Sequence, residues 1–300
     1  MGAQENPKLK PVLNHLRGGS RTGQKKEAAA AADAVAPQRL WSTEGAETTV
    51  TATVSVEAVA VRPFCCICVM HFAPGIQFSE ETLRAFIDAQ TAIHDGPIGR
   101  RREGCGIGTH DMATIPPASG TVPTLRIDAA PPAEVTLVPL KMGLADLQPG
   151  AGEALRPASG VIAAALAVEG RDGASSGARK YAGMLAGLPR VPVLLDSAGT
   201  VLSLPPLTNA LHSLVTVATT SILIECSSTE SEAVCREASL ELIARTMAIF
   251  ESVEGGGPPL VLVQQVAVCN AWGQGYLRAK FPSWDELRRL DSDPTGALEK

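Results

Sequence analysis

Apolar and polar positions change period several times along the chain, and each change marks an element. From Thr48 to Val61 ("TTVTATVSVEAVAV") β-branched residues are dense, with Val50, Val54, Val56 and Val59 recurring, which predicts one or two strands. "RPFCCICVMHF" (Arg62 to Phe72) predicts a further strand introduced by Pro63. Ser79 to His94 reads as a helix: Ser79 caps it, Glu80 and Glu81 suit its N-terminal dipole, and Gly96-Pro97 stops it. Leu83, Phe86, Ile87, Gln90 and Ile93 share one face of that helix at a spacing near 3.6 residues. Gly104, Gly106 and Gly108 mark a short strand with close backbone approach, or a loop. Residues 115–134 read as Pro-rich and irregular, and "AEVTLVPL" (Ala133 to Leu140) as a strand.

The second half has the clearest pattern. "GVIAAALAVEG" suggests a helix, "GRDGASSGA" a loop, and Lys180 to Leu188 a short helix closed by Pro189. Val191 to Leu195 and Thr200 to Leu204 then form a hairpin around Asp196-Ser197-Ala198-Gly199, where Gly199 supplies positive φ. Pro205-Pro206 ends the return strand. Leu214 to Cys226 predicts two strands. Thr229 with Glu232 reads as a capping box opening a long helix with Val234, Ala238, Leu242, Ile243, Met247 and Phe250 inward. Leu260 to Cys269 is a last strand, and "SWDELRRLDSD" a short exposed helix. Strands and helices mix without a regular βαβ repeat. The fold class expected is therefore α+β, a single mixed or antiparallel sheet with flanking helices. Residues 1–46 read as a disordered leader, 47–270 as the domain and 271–300 as a short tail or linker.

Composition narrows the classes. The 300 residues carry 26 basic and 31 acidic side chains, so the net charge of −5 gives no global pull toward nucleic acid. No run of 18 apolar residues predicts a membrane span, and the N-terminus lacks the apolar core of a secretory signal. Seven cysteines, an odd number, fit reduced thiols in a cytoplasmic protein better than a disulfide framework.

Several motifs invite chemistry. Cys65-Cys66-Ile67-Cys68 contains C-x-x-C but has no second pair at zinc spacing, so it reads as a strand packing thiols as small hydrophobes, with no metal. Gly106-x-Gly108-Thr109-His110-Asp111 lacks the Gly-Lys-Ser/Thr of a phosphate loop. His110 with Asp111 either orients a water or ligand, or forms a strand-end turn held by local hydrogen bonds. Arg100, Arg101 and Arg102 make a basic run that suits phosphate contact or a solvated connector. A Ser203–His212–Asp196 triad lacks the G-x-S-x-G elbow. Five polar side chains, Asp196, Ser203, Asn209, His212 and Ser213, interrupt the most strand-like segment; converging on an apolar wall, they would line a small-ligand pocket.

These residues carry a resemblance. "PVLLDSAGTVLSLPPLTNALHS" (Pro192 to Ser213), followed by "ILIEC" (Ile222 to Cys226), resembles the B3/B4 domain of the phenylalanyl-tRNA synthetase beta subunit in its archaeal and eukaryotic form. "VRPF" (Val61 to Phe64), "FIDAQTAIH" (Phe86 to His94), the arginine run, "IGTHD" (Ile107 to Asp111) and "VTLVPL" (Val135 to Leu140) are similar to further landmarks of that domain. The resemblance covers about residues 49 to 268, strongly at 83–111 and 189–226. It implies hydrolytic editing of Tyr-tRNA(Phe) at the tRNA acceptor end, because a pocket built for phenylalanine rejects tyrosine poorly. By resemblance, Asp196, Ser203 and Asn209 lie in the editing pocket; the catalytic set expected is Asp196, Ser203, Asn209 and His212, with His212 and His110 candidates to position water or the terminal adenosine, and Thr109, His110, Asp111, Gly199 and Ser213 are expected to bind substrate. Arg100 to Arg102 touch tRNA phosphate. The domain itself needs no cofactor; ATP and Mg belong to the complete synthetase, and the alpha subunit is a partner only where the family's other modules are present. The sequence departs from the family at Ala210 and Leu211, in place of Gly and Asp, and at Leu214, where a basic residue usually follows the serine. These departures support an alternative, a module that keeps the fold and binds tRNA or a partner without hydrolysis.

Overall fold

The computed structural model describes residues 50–117, 123–140, 154–168, 177–254, 261–270 and 277–292. The expected leader 1–46 lies outside the described residues, as does most of the expected loop at 170–178. In chain order the elements are β1 (Thr51–Val54), α1 (Val56–Val61), β2 (Phe64–Phe72), α2 (Glu80–Asp95), β3 (Gly106–Asp111), β4 (Thr124–Ala130), β5 (Thr136–Leu137) and β6 (Arg156–Pro157). There follow α3 (Ala158–Ala167), α4 (Gly177–Gly183), β7 (Val191–Leu195), β8 (Val201–Leu204), β9 (Thr208–Asn209), β10 (Ser221–Ser228), α5 (Glu232–Glu254), β11 (Val261–Asn270), β12 (Leu277–Phe281) and α6 (Trp284–Ser292).

The α+β expectation holds. Nine strands run β3-β10-β2-β11-β1-β4-β7-β8-β9, and β12 adds to β11. Pairing is antiparallel except where β1 runs parallel to β11 and β4. The sheet rolls until its end strands lie side by side: Asn209 Nδ2 on β9 donates to the Thr109 carbonyl on β3 at 3.1 Å. Rolling gives the sheet an inside and an outside. Val50, Ala52, Val54, Ile67, Val69, Leu125, Leu202 and Leu223 fill the inside. On one outer face α2, α5 and α6 cover β2 and β10 with Phe86, Ile93, Leu242, Ile243, Leu287 and Leu290. On another, α3 and α4 cover β7 and β8 through Val161, Ala165, Val193 and Leu204.

Ser79 caps α2 as expected, and Thr82 completes the capping box. Other expectations are corrected. Val56–Val61 is helix, not strand, because Ser55 Oγ accepts the Ala58 N–H and turns the chain. Residues 115–134 contain β4, a seven-residue strand that the flanking prolines disguise. "AEVTLVPL" yields a two-residue strand, and Leu214 to Cys226 holds β10 alone, preceded by a turn in which Thr219 Oγ1 accepts the Thr216 N–H. At the start of α5 it is Ser231, not Thr229, whose Oγ accepts a helical N–H, that of Val234. The last helix is not simply exposed: Leu287 and Leu290 are buried in the core.

Candidate functional site

Where β8, β9, β3 and β10 converge, the apolar sheet interior turns polar. Strand alternation puts Leu223, Glu225 and Ser227 of β10 inside, and Ile222, Ile224 and Cys226 outside. Glu225 pairs across to Gly108 on β3 and Ile67 on β2. Its carboxylate accepts from Ser203 Oγ of β8 at 2.8 Å. Burial pushes the Glu225 carboxyl up to about 7, against the opposing pull of the Ser203 hydrogen bond and the Arg62 and Arg102 guanidiniums. Arg62, itself buried, donates from Nε to Ser227 Oγ at 2.9 Å and from Nη2 to the Ser227 carbonyl at 2.7 Å. A small cavity of about 20 Å³ lies beside these groups; Cys65, Ile67, Ile127, Val193 and Leu194 make most of its wall, and Arg62, Glu225 and Ser227 border it.

Gly108 is required here for space. A Cβ at this position would meet Glu225 Oε1 at 2.4 Å and Asn209 Oδ1 at 3.0 Å. The missing side chain thus lets the Glu225 carboxylate and the Asn209 amide approach the same stretch of β3 backbone. His110, two residues on, is fully buried and bonds Ser213 Oγ through Nδ1 at 2.8 Å. Desolvation, aided by His212, lowers its pKa to about 3, so the ring is neutral; its Nε2 has no partner among the described residues.

On the outer side of the same junction a cleft of about 320 Å³ separates α2 from the β9 end of the sheet. Gln90 on α2 donates to the Ile107 carbonyl at 2.9 Å, and Thr109 Oγ1 donates to Gln90 Oε1 at 3.3 Å, fixing both side chains at the cleft. His94 Nε2 accepts the Ile107 N–H at 2.9 Å; burial first, then the nearby Arg102, holds this ring well below the usual histidine range.

The structure therefore brings together Ser203, Asn209, Thr109, His110 and Ser213, and adds Glu225, Arg62 and Gln90. The other expected residues lie elsewhere or do something local. Asp196 is buried and its Oδ1 accepts the Ala198 and Thr200 N–H groups at 2.9 and 2.8 Å, holding the β7–β8 turn. Gly199 sits in that turn at φ +84°. Asp111 takes the Ala113 N–H on Oδ1 and the Thr219 hydroxyl on Oδ2, a strand-end role. His212 is exposed. The arginines separate: Arg100 pairs with Glu230, Arg101 points to solvent, and Arg102 lines the cleft. All seven cysteines are free thiols, and no group of three or more His, Cys, Asp or Glu among the described residues is arranged to hold a metal ion. Sequence reasoning missed Glu225. Its signal was present: one carboxylate at an alternating position inside an otherwise apolar strand, with Arg62 the lone cation beside another.

No family model matches the chain. The cytoplasmic phenylalanine–tRNA ligase beta subunit of Arabidopsis thaliana is 32% identical over 177 residues, 59% of this chain and 25% of that protein. The Mus musculus beta subunit is 29% identical over 177 residues, 59% of this chain and 26% of that protein. Among solved structures, an N-terminal fragment of the phenylalanyl-tRNA synthetase beta subunit from Pyrococcus horikoshii superposes with a TM-score of 0.58 over 78% of this chain and 55% of that one. At 20% identity that likeness shows a shared fold. The chain spans about a quarter of the length of the curated relatives it matches, and over that stretch it is homologous to the beta subunit of phenylalanine–tRNA ligase.

Proposed function

We propose that this chain carries a hydrolytic editing site that removes tyrosine wrongly esterified to tRNA(Phe). The observation that supports it most is the convergence of Ser203, Asn209 and Glu225 from three strands around the bare backbone of Gly108. In this reading Ser203 and Asn209 contact the aminoacyl group. Glu225, with a carboxyl near 7, takes a proton from the attacking water. Attack on the ester carbonyl breaks its bond to the ribose oxygen, which leaves with a proton as the tRNA 3′ hydroxyl while the amino acid departs free. Water held between fixed polar groups needs no covalent nucleophile. Neutral His110, bonded to Ser213, fixes the 3₁₀ turn that follows Asn209. Asp196 contributes by holding the hairpin turn. The chain acts in the cytoplasm on the acceptor end of tRNA, without a cofactor; charging tRNA needs the alpha subunit, ATP and Mg.

Leu214 favours a second reading. It is 40% exposed at the cleft, where the resembled family usually carries a cation, and suits a module that keeps the fold and binds tRNA or a partner without hydrolysis. Deacylation of Tyr-tRNA(Phe) by the purified chain separates the two, with Phe-tRNA(Phe), Ser203→Ala and Glu225→Gln as controls. Selective hydrolysis that both variants lose supports editing. A folded chain that binds tRNA and leaves the ester at its uncatalysed rate supports the binding module.

A further inference from the structure

Arg62 is a cation buried under the rolled sheet, and local structure delivers it there. It follows Val61 at the end of α1, and its N–H closes that helix on the Ala58 carbonyl at 2.7 Å. Its guanidinium then reaches β10, where Nε and Nη2 donate to the hydroxyl and the carbonyl of Ser227. Both acceptors are neutral, and among the described residues Arg62 makes no salt bridge. An arginine keeps its charge in a protein, so a guanidinium so placed favours a negative charge close by. The ionisable groups around it are the carboxyl of Glu225 and the thiols of Cys226, Cys235 and Cys105. Glu225 is the one carboxyl of that set.

Strand geometry fixes how the two meet. Glu225 and Ser227 lie on the same face of β10, about 7 Å apart along the strand. A side chain tied to both acceptors of Ser227 is thereby held next to Glu225, and both border the same small cavity. The other elements packed around Glu225 bring less charge. β8 and β9 offer the neutral Ser203 and Asn209, β2 the Cys65 thiol at the cavity, and β3 the neutral His110 further along. Arg102, from the loop before β3, is the second cation. It is engaged elsewhere: Nη1 donates to the carbonyls of Pro206 and Leu207 at 2.7 and 3.2 Å, and the guanidinium lies 4.6 Å from the centroid of the Tyr181 ring.

We infer that Arg62 is a positioning residue for the hydrolysis: anchored on Ser227, it keeps Glu225 charged beside the reacting water and itself touches neither water nor ester. This role rests on the editing reading, and deepens it by naming what holds the base ready. Burial dominates the Glu225 carboxyl and leaves it at about 7. Near neutral pH the active fraction is then most sensitive to the remaining pulls, those of the Ser203 hydrogen bond, Arg62 and Arg102. When Glu225 takes a proton from water, the charge of Arg62 loses its counterpart. That favours passing the proton on to the departing ribose oxygen, which returns the carboxylate to its starting form.

Hydrolysis of Tyr-tRNA(Phe) by the full chain between about pH 6 and 9, corrected for the uncatalysed rate, tests this beside carbon-13 NMR of the Glu225 carboxyl. Arg62→Gln keeps an amide donor for Ser227 and removes the charge. It is expected to slow hydrolysis about tenfold near pH 6.5 and less than about twofold near pH 8.5, and to move the Glu225 titration to higher pH. Arg62→Lys keeps the charge and gives up the paired hydrogen bonds, so it should restore the parent's pH dependence at lower stability. Ser227→Ala loosens the anchor without touching the charge and is expected to shift both curves the same way by less, which serves if Arg62→Gln does not fold. A merely structural role lowers the rate equally at every pH. A pH–rate curve that only scales, or a Glu225 titration that stays put, would therefore overturn the assignment. A parent chain that hydrolyses while its variants keep the parent's pH dependence discards Arg62 alone; a parent chain that does not hydrolyse discards the editing reading and this role with it.

Discussion

The two faces of β10 are made by one run of residues and behave as different materials. Outward, Ile222, Ile224 and Cys226 meet Cys66, Met70 and the helices; apart from local contacts such as Cys66 Sγ with Ser239 Oγ at 3.3 Å, the demands are volume and dryness. Inward, Leu223 continues an apolar core, but Glu225 and Ser227 replace it with a charge network tied to Ser203 and Arg62. The outer face is mostly apolar, and its few buried hydroxyls, those of Ser239 and Thr246, find partners within the layer. The inner face keeps a carboxyl near 7, which costs stability and suits proton transfer. A twofold alternation thus lets neighbouring residues serve packing on one face and chemistry on the other, with the cost in stability confined to the inner face.

The comparison breaks most visibly at Ile224. Ile224→Ala leaves a void in the fully buried outer face and should cost about 2–5 kcal/mol. Urea unfolding would show this at every pH, while hydrolysis per folded molecule stays near that of the parent.

Glu225→Gln should do the opposite. The folded carboxyl is raised from 4.5 to about 7, so its protonated form contributes stability below pH 4.5 that is lost as pH rises to about 7. The variant is therefore expected to be more stable by roughly 3 kcal/mol at pH 8 and unchanged at pH 4, with hydrolysis lost. A variant less stable at pH 8 would show that the ionised carboxylate is needed to balance Arg62.

His110→Gln sharpens the acid side. The buried ring is held down at about 3 against 6.5 when unfolded, so its contribution is complete above pH 6.5 and disappears as pH falls toward 3. Removing the imidazole should flatten the loss of stability between pH 6.5 and 4, a change of roughly 3 kcal/mol in the difference between those two points. An unaltered acid limb would place the proton uptake on another group.

The smallest effect belongs to Ser203→Ala, about 1 kcal/mol for one buried hydrogen bond. Because that bond favours the ionised form, its loss should move the Glu225 carboxyl further up. Carbon-13 NMR of the Glu225 carboxyl would record the rise; a fall would mean that the hydroxyl points elsewhere.

Much of the fold was legible where local chemistry and tertiary packing agree. The α2 cap, the β7–β8 hairpin with Gly199, and the inward stripe of α5 follow from residue types alone. Disagreement explains the misreadings. Val56–Val61 is rich in β-branched residues, yet the hydrogen bond that the Ala58 N–H donates to Ser55 Oγ and the packing of Ala58 into the interior make it a helix. β4 hides behind prolines because its strand character comes from pairing with β1 and β7. Of the site, Ser203 and Asn209 were visible as polar breaks in an apolar hairpin. Glu225 stood out as a lone carboxylate in "ILIEC", but which face it takes and that it meets Ser203 are decided only by the strands paired on either side.

The sequence by itself determined the class of fold, the elements with strong caps and turns, and a polar hairpin similar to one in a tRNA synthetase subunit. These depend on interactions within a few residues. Only the tertiary structure decided which polar groups meet. Rolling the sheet carries β9 against β3, more than 90 residues away in sequence, and so joins Asn209 to Thr109 and Ser203 to Glu225. The same closure singles out Arg102 from its two neighbours and leaves Asp196 to its turn. Burial then sets the chemistry, because the proton affinities of Glu225 and His110 follow from the water each has lost.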